Sequence, residues 1–527
     1  MNIQAIRGWG AALGALSLLL SPGLAAAENL PQSGVERVAS SAASPAEESS
    51  TPPSFGTTFL DLVVEATTED PGVSVAELGQ ILGLPPEGGL SLIHEGQLLS
   101  LTITFSQPPS EADVAEVEQH AQVRRVLDVT PAVMAYAPPS ALAALRDLPS
   151  VWEVEVNLTP ETGVIDKEVT EEERAALVRL LQAAEGPQGA PSAASQQCRS
   201  IPAAANEPLK VTQAHQDWAV DGSGVTVGIL STTYDEDAAA ATTAAEDVRN
   251  GLLPGAGNPC GHIQPVTVLN AGKTPDYLRN DEARAMAQIV HGIAPGADIV
   301  VATLGESQAE TAQNIADLVA AGADVIADDI IWSNEPSFQK GVISQQIDLA
   351  KSHGVSYFAA SGNNNGVQET QGWGSHIGYP VGRHESIRYV PTECPAWVEG
   401  PQGATTYDCM DFSPDGSGVP YGAFLGTPRH LGAEARLAAL RQILSWSEPV
   451  GGVKTRLQLQ FYGLGDVENP NSVCFGGASA AATFNSPSAL ATWSQAPQCP
   501  LYSWEGRRTL AAVVVRDTSQ PGYGTPM

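Results

Sequence analysis

Beyond its first twenty residues the chain has no long hydrophobic run, and it has few basic residues: 26 lysines and arginines stand against 59 acids, a net charge of -33. A later membrane span is therefore not expected, because crossing a bilayer takes about 20 apolar residues in succession. Such an acidic surface repels nucleic acid and anionic membranes. The nine histidines are scattered, no HExxH is present, and none of the six cysteines has close zinc-ligand spacing. No metal or cofactor is expected.

What is present divides the 527 residues into about three domains. Residues 1–27 read as a secretory signal, with Arg7 for the positive region, Ala11 to Leu20 for the apolar region and Ala25-Ala26-Ala27 for the cleavage site. Removing it takes away Arg7 alone and brings the charge to -34. The expectation is a secreted or periplasmic protein. Residues 28–55, rich in Ser, Pro, Ala and Glu, read as a flexible linker. Six cysteines allow fifteen pairings. Proximity favours Cys394–Cys409 and Cys474–Cys499, leaving Cys198–Cys260.

Residues 56–160 read as a small α/β sandwich of order β-α-β-β-α-β. LDLVVEA (60–66) is its first strand and VAELGQIL (75–82) a helix. In LLSLTITF (98–105), Leu101, Ile103 and Phe105 alternate as in a strand. Ser110 opens a second helix, RRVLDVTPAVMAYA (124–137) forms a strand or a hairpin, and Ser140 caps a helix that Pro149 stops. VWEVEV (151–156) closes the unit. Residues 161–207 form a linker with a short helix, opened by a capping box of Thr170 and Glu173.

Residues 208–387 alternate strands with helices. GSGVTVGIL (222–230), DIVVATL (298–304), ADVIA (323–327) and VSYFAA (355–360) are continuous apolar runs of parallel-sheet type. The helices between them imply right-handed crossovers and a doubly wound parallel sheet, whose functional residues gather at the carboxyl ends of the strands. In DEARAMAQIVHGIAPGA (281–297), Met286, Ile289, Val290 and Ile293 define a core face, Asn280 is the cap and Pro295-Gly296 the stop. Glu282 falls on the same inward stripe, one turn from the start. An inward carboxylate needs a partner or a raised pKa; the alternative is a first-turn acid favoured by the helix dipole. From about residue 388 to 527 the chain turns β-rich, with TRLQLQFYGL (455–464) and RTLAAVVVRD (508–517) alternating, as in a β-sandwich.

Three segments of this region resemble subtilisin-like proteases. AHQDWAVDGSGVTVGILSTTYD resembles the helix and strand that deliver the catalytic aspartate. VHGIAPGADIV resembles the end of the helix that begins with the catalytic histidine, and FAASGNN the turn whose asparagine donates to the oxyanion. The resemblance covers roughly Thr212 to Gly366. ALAALRDLPSVWEVEVN (141–157) is similar to the end of the propeptide that assists folding of such proteases and blocks their cleft.

The resemblance implies a subtilisin-like sheet preceded by a propeptide-like domain, and a serine endopeptidase acting on proteins or peptides. It puts Ser231 or Thr232 at the aspartate position and Glu282 at the histidine position. A glutamate there resembles the sedolisins, acid-acting relatives, and a carboxylate can serve as general base if its pKa suits the working pH. Sedolisins place an aspartate one turn later, where this chain has Met286. Asp235, Asp281 and Arg284 are the candidates to tune Glu282, with Asp235 the orienting acid. Asn363 matches the oxyanion donor. Gly-Thr-Ser is absent, and Ser479 in GGASAAATF is the only visible nucleophile. The sequence is expected either to stop before the serine-bearing helix or to have lost the nucleophile. One of Asp328 and Asp329 is placed to face the cleft, or both are solvated loop acids. His291 points away from the site and His353 caps a helix. The alternative is a catalytically inactive protease-like scaffold whose β-sandwich binds a partner.

Overall fold

The computed structural model describes residues 59–82, 91–162, 208–270, 279–332, 335–360, 388–424, 441–464, 473–478, 488–492 and 509–519, apart from isolated positions. Residues 1–27 and 28–55, read from the sequence as a signal and a linker, most of the segment 161–207, Asn363 and Ser479 lie outside them. The fold is mixed α/β, with one parallel sheet between antiparallel regions. Among the described residues no helix is long and apolar enough to cross a membrane.

The N-terminal domain contains α1 (Phe59–Glu69), α2 (Val75–Ile81), β1 (Leu98–Phe105), α3 (Glu111–Val117), β2 (Gln122–Val126), β3 (Ala132–Ala137), α4 (Leu142–Arg146) and β4 (Val151–Val156). All its strand pairs are antiparallel, in the order β4-β1-β3-β2. Two expectations are corrected here. LDLVVEA is part of a helix: Leu60, Val63 and Ala66 are its buried residues, a three-residue spacing that suits a helical face and not a strand. Ser140 makes no cap bond and sits inside a 3₁₀ turn at Pro139–Ala141. Ser74 and Ser110 do form capping boxes, with Glu77 and Asp113.

Leu101, Ile103, Phe105, Val133, Ala135, Val154 and Val156 put one face of this sheet against Leu60, Val63, Leu78, Leu142 and Leu145. The other face carries Ser100 and Thr102, yet both are buried. It packs against the start of a helix of the next domain, described below.

That domain runs α5 (Val211–Trp218), β6 (Thr226–Ser231), α6 (Ala244–Arg249), β7 (Thr267–Val268), α7 (Glu282–Ile293), β8 (Asp298–Thr303), α8 (Gln308–Ala320), β9 (Val325–Asp328), β10 (Ile330–Ile331), α9 (Val342–Ser352) and β11 (Ser356–Ala359), after a short β5 (Glu161–Thr162) from the N-terminal side. The parallel sheet has the order β11-β9-β6-β8-β7. Alternation along the strands sends Ile229, Ile299 and Val301 to Ala283 and Ala287 of α7, and Leu230, Val300, Ala302 and Ile326 to Ile315 and Leu318 of α8 and Ile343 and Ala350 of α9. Helices therefore cover both faces. The buried residues of α7 are Ala283, Arg284, Ala287 and His291; of the face read from sequence, Met286 and Val290 pack half-buried against this core, whereas Ile289 is 51% exposed. Small residues here let the helix approach the sheet closely.

The C-terminal region is antiparallel: β12 (Pro391–Thr392), β13 (Tyr407–Met410), β14 (Gly422–Phe424), β15 (Arg441–Ser445), β16 (Leu457–Leu464), β17 (Val473–Ala478), β18 (Ser488–Thr492) and β19 (Thr509–Asp517). The sheet β12-β13-β19-β16-β17, with β14 also on β19, is separate from the pair β15-β18. Cys394 and Cys409 form a disulfide, and Cys260 is likewise disulfide-bonded.

Glu306 and α8 receive the second face of the N-terminal sheet. Ser100 Oγ donates to Glu306 Oε2 at 2.6 Å, Tyr136 Oη donates to Oε1 at 2.9 Å, and Arg124 pairs with the same carboxylate. Arg125 pairs with Asp317 and donates to Asn314 Oδ1 at 2.9 Å. The amides of Asp128 and Val129 donate to Gln313 Oε1 at 2.7 and 3.1 Å. The chain then returns along the body: β5 pairs antiparallel with β10, Thr162 opposite Ile330 and Glu161 opposite Ile331.

Ahead of β6, Gly222 has φ +88°, and a Cβ there would stand 2.8 Å from Ala294 Cβ and 3.2 Å from the Ala297 amide nitrogen. Gly222→Ala is expected to destabilise the chain by about 1–3 kcal/mol through strain and overpacking; urea denaturation checks this.

Candidate active site

The carboxyl ends of β6 and β9 and the start of α7 converge. Asp328 is in register with Leu230, and the Asp329 amide donates to Leu230 O at 3.1 Å, so Asp329 follows beside Ser231. Glu282 is the first residue of α7. Its amide donates to Thr232 Oγ1 and to Asn280 Oδ1, both at 3.2 Å; the N-cap is Asp281, not Asn280 as expected, and it makes no side-chain cap bond. Ser231 is fully buried, and its hydroxyl donates to Glu282 Oε2 at 3.0 Å.

Glu282 is also acted on by the carboxyl of Asp329. Burial first, then the Asp329 charge, pushes the Glu282 pKa up to about 7. The Ser231 hydroxyl works in the opposite direction. Burial also raises Asp329, while its bond to Glu282 lowers it.

Asp281, Arg284 and Asp235 do not act on Glu282 as the sequence led us to expect. Asp281, held at φ +54°, accepts from Thr233 Oγ1 at 3.1 Å and from the amides of Glu236 and Asp237 at 2.8 and 3.1 Å. Its other oxygen takes Arg284, which also reaches buried Asp247 at 2.5 Å. Each of these charges is used inside the network, which ties α7 to the loop after β6 and to α6. Exposed Asp235 accepts from the Ala244 amide at 2.7 Å, at the start of α6.

Of the neighbouring acids, Asp328 is structural: it accepts from the Ile330 amide at 2.9 Å and from Tyr357 Oη at 2.8 Å, and burial pushes it up to about 6. Asp329 is the one facing Glu282. Two consecutive acids after a buried strand were the only sequence signal for it, and alternation along the strand separates their roles. His291 is buried at the far end of α7, edge-on to His262 with ring centroids 5.1 Å apart, and burial pushes it down to about 4. Nine residues of helix, about 13 Å, separate it from Glu282. His353 is the C-cap residue of α9, its ring Nδ1 3.0 Å from Leu349 O. Among the described residues no group of three or more His, Cys, Asp or Glu forms a metal-binding cluster.

No family model matches the chain, and no curated protein matches it. Among solved structures it is similar to two crystal structures of the epidermin leader peptide processing serine protease of Staphylococcus aureus. One is a serine-to-alanine mutant, at 12% identity and TM-score 0.27, covering 51% of this chain and 62% of that one. The other is at 14% identity and TM-score 0.27, covering 51% and 61%. The chain spans less than two thirds of those proteins, and the similarity is too low to transfer a function.

Ser231→Ala removes the one hydroxyl that favours ionised Glu282, so the Glu282 pKa is expected to rise further. Carboxyl NMR titration of glutamate-labelled protein reads this directly; an unmoved titration would show that the hydroxyl has no influence.

Proposed function

We propose that this chain is an exported, subtilisin-like serine endopeptidase made with a propeptide, in which Glu282 replaces the histidine base. The observation that carries the reading is the antiparallel pairing of 161–162 with 330–331, one residue from Asp329, which acts on Glu282. An extended peptide adding a strand to that edge would present its backbone to the site in the same way. Residues 56–160 then act as the propeptide, its sheet seated on α8 and its outgoing chain lying where substrate would lie. Peptide-bond hydrolysis needs a nucleophile, a base and an oxyanion donor. Glu282 is the base, Asn363 the donor and Ser479 the nucleophile read from sequence.

Glu282 works as a base only when ionised. With its pKa near 7, that form is populated above about pH 7 and lost below it. We therefore set the rise of activity near neutrality, whereas a glutamate of ordinary pKa would favour acid conditions.

The second reading, a catalytically inactive scaffold that binds through its β-rich region, draws on Ser231. A buried hydroxyl stands where the family has its aspartate, and Asp235 is turned to α6. Fluorophosphonate labelling separates the two readings: a labelled serine rejects the scaffold, and a correctly processed sample that stays unlabelled and uncleaving rejects the peptidase.

Cleavage of a denatured protein is expected to rise with pH through about 7 and to fall roughly 100-fold or more in Glu282→Gln. Amino-terminal sequencing of the processed protein is expected to find a new terminus within residues 163–207.

A further inference from the structure

We propose that Glu282 and Asp329 share one proton and function as a single acid–base unit, with Asp329 the positioning residue that sets when Glu282 becomes a base. The backbone fixes their meeting. Asp328 is in register with Leu230, so Asp329 emerges beside Ser231, and Ser231 Oγ reaches Glu282 Oε2 at 3.0 Å. The Asp329 carboxyl acts on Glu282 from there, and a like charge so placed favours keeping a proton on the pair.

Among the described residues, the groups around the pair supply no compensating cation. From β6 comes the Ser231 hydroxyl. From β9 and β11 come Asp328 and Tyr357, bonded to each other. From α7 come Asp281 and Arg284, and Arg284 is engaged by Asp281 and Asp247. Among the described residues no lysine, arginine or histidine contacts either carboxyl. Two like charges in contact in such surroundings do not both ionise readily, so one proton stays with the pair until the pH is well above the usual carboxylate range. The aspartate expected on β6 or one turn into α7 is thus replaced by one arriving from the adjacent strand.

The catalytic consequence rests on the peptidase reading. The ionised pair takes the proton of the attacking hydroxyl as its oxygen bonds to the carbonyl carbon. It returns that proton to the departing amine as the carbon–nitrogen bond breaks. Water then repeats the transfer, releases the acid and restores the starting protonation.

The test is a carboxyl NMR titration of glutamate-labelled full-length chain, wild type against Asp329→Asn and Asp329→Ala, with circular dichroism to verify folding. Glu155 is also raised to about 7, so the Glu282 step, expected near pH 7 in the wild type, is assigned by its loss in Glu282→Gln. Removing the Asp329 charge is expected to lower that step by about one pH unit or more. A wild-type chain in which no raised step is lost in Glu282→Gln overturns the proposal. So does a step that stays in place in whichever folded Asp329 variant is measured, because burial alone would then account for it. The pH–rate profile of peptide cleavage is expected to move by the same amount as the titration; a profile that stays fixed while the titration moves removes Asp329 from the reaction. A titration that shifts as expected in a chain that cleaves nothing upholds the pair and rejects the peptidase reading.

Discussion

Two carboxyl groups in contact, half-withdrawn from water at the end of a parallel sheet, set the demands on everything around them. Their contact costs free energy unless a proton is held between them or a cation answers the charge. Here the nearby arginine on the same helix, Arg284, is spent on Asp281 and Asp247. The pair instead relies on the Ser231 hydroxyl and on a retained proton.

The position of Glu282 is built from more than its own helix. A left-handed residue, Asp281, gathers the amides of 236 and 237, the Thr233 hydroxyl and the Arg284 guanidinium. Thr232 and Asn280 take the amide of Glu282. The Asp281 carboxylate and the Glu282 amide thus both engage the loop after β6, and the helix cannot move along its axis without breaking several of these bonds together. Such support keeps an acid–base group within a few tenths of an ångström of its working place.

The N-terminal domain shows the same economy of polar atoms. Its sheet buries one face in the ordinary apolar way and the other through hydroxyls, amides and arginines set against Glu306, Gln313, Asn314 and Asp317. A polar interface of this kind is directional, because each buried donor needs its own acceptor. It fixes where the chain leaves the domain, and that exit leads β5 along β10 toward the two carboxyls.

Much of this was legible in the residues alone. The apolar runs of β6, β8 and β9, the helices between them and the stop at Pro295-Gly296 follow from periodicity, because burial on both faces leaves a continuous hydrophobic signature. An inward carboxylate at Glu282 with a perturbed pKa followed from the same pattern, although Ala283 and Ala287 rather than Ile289 make the closest approach to the sheet. The stretch 60–66 misled because a short run of Leu and Val fits either period, and only its packing against Leu142 and Leu145 settles it. Asp329 as the partner of Glu282, the turning of Asp235 to α6 and the buried role of Ser100 are matters of tertiary structure. Each depends on which strand lies beside which, and strand order brings together residues that no local spacing connects.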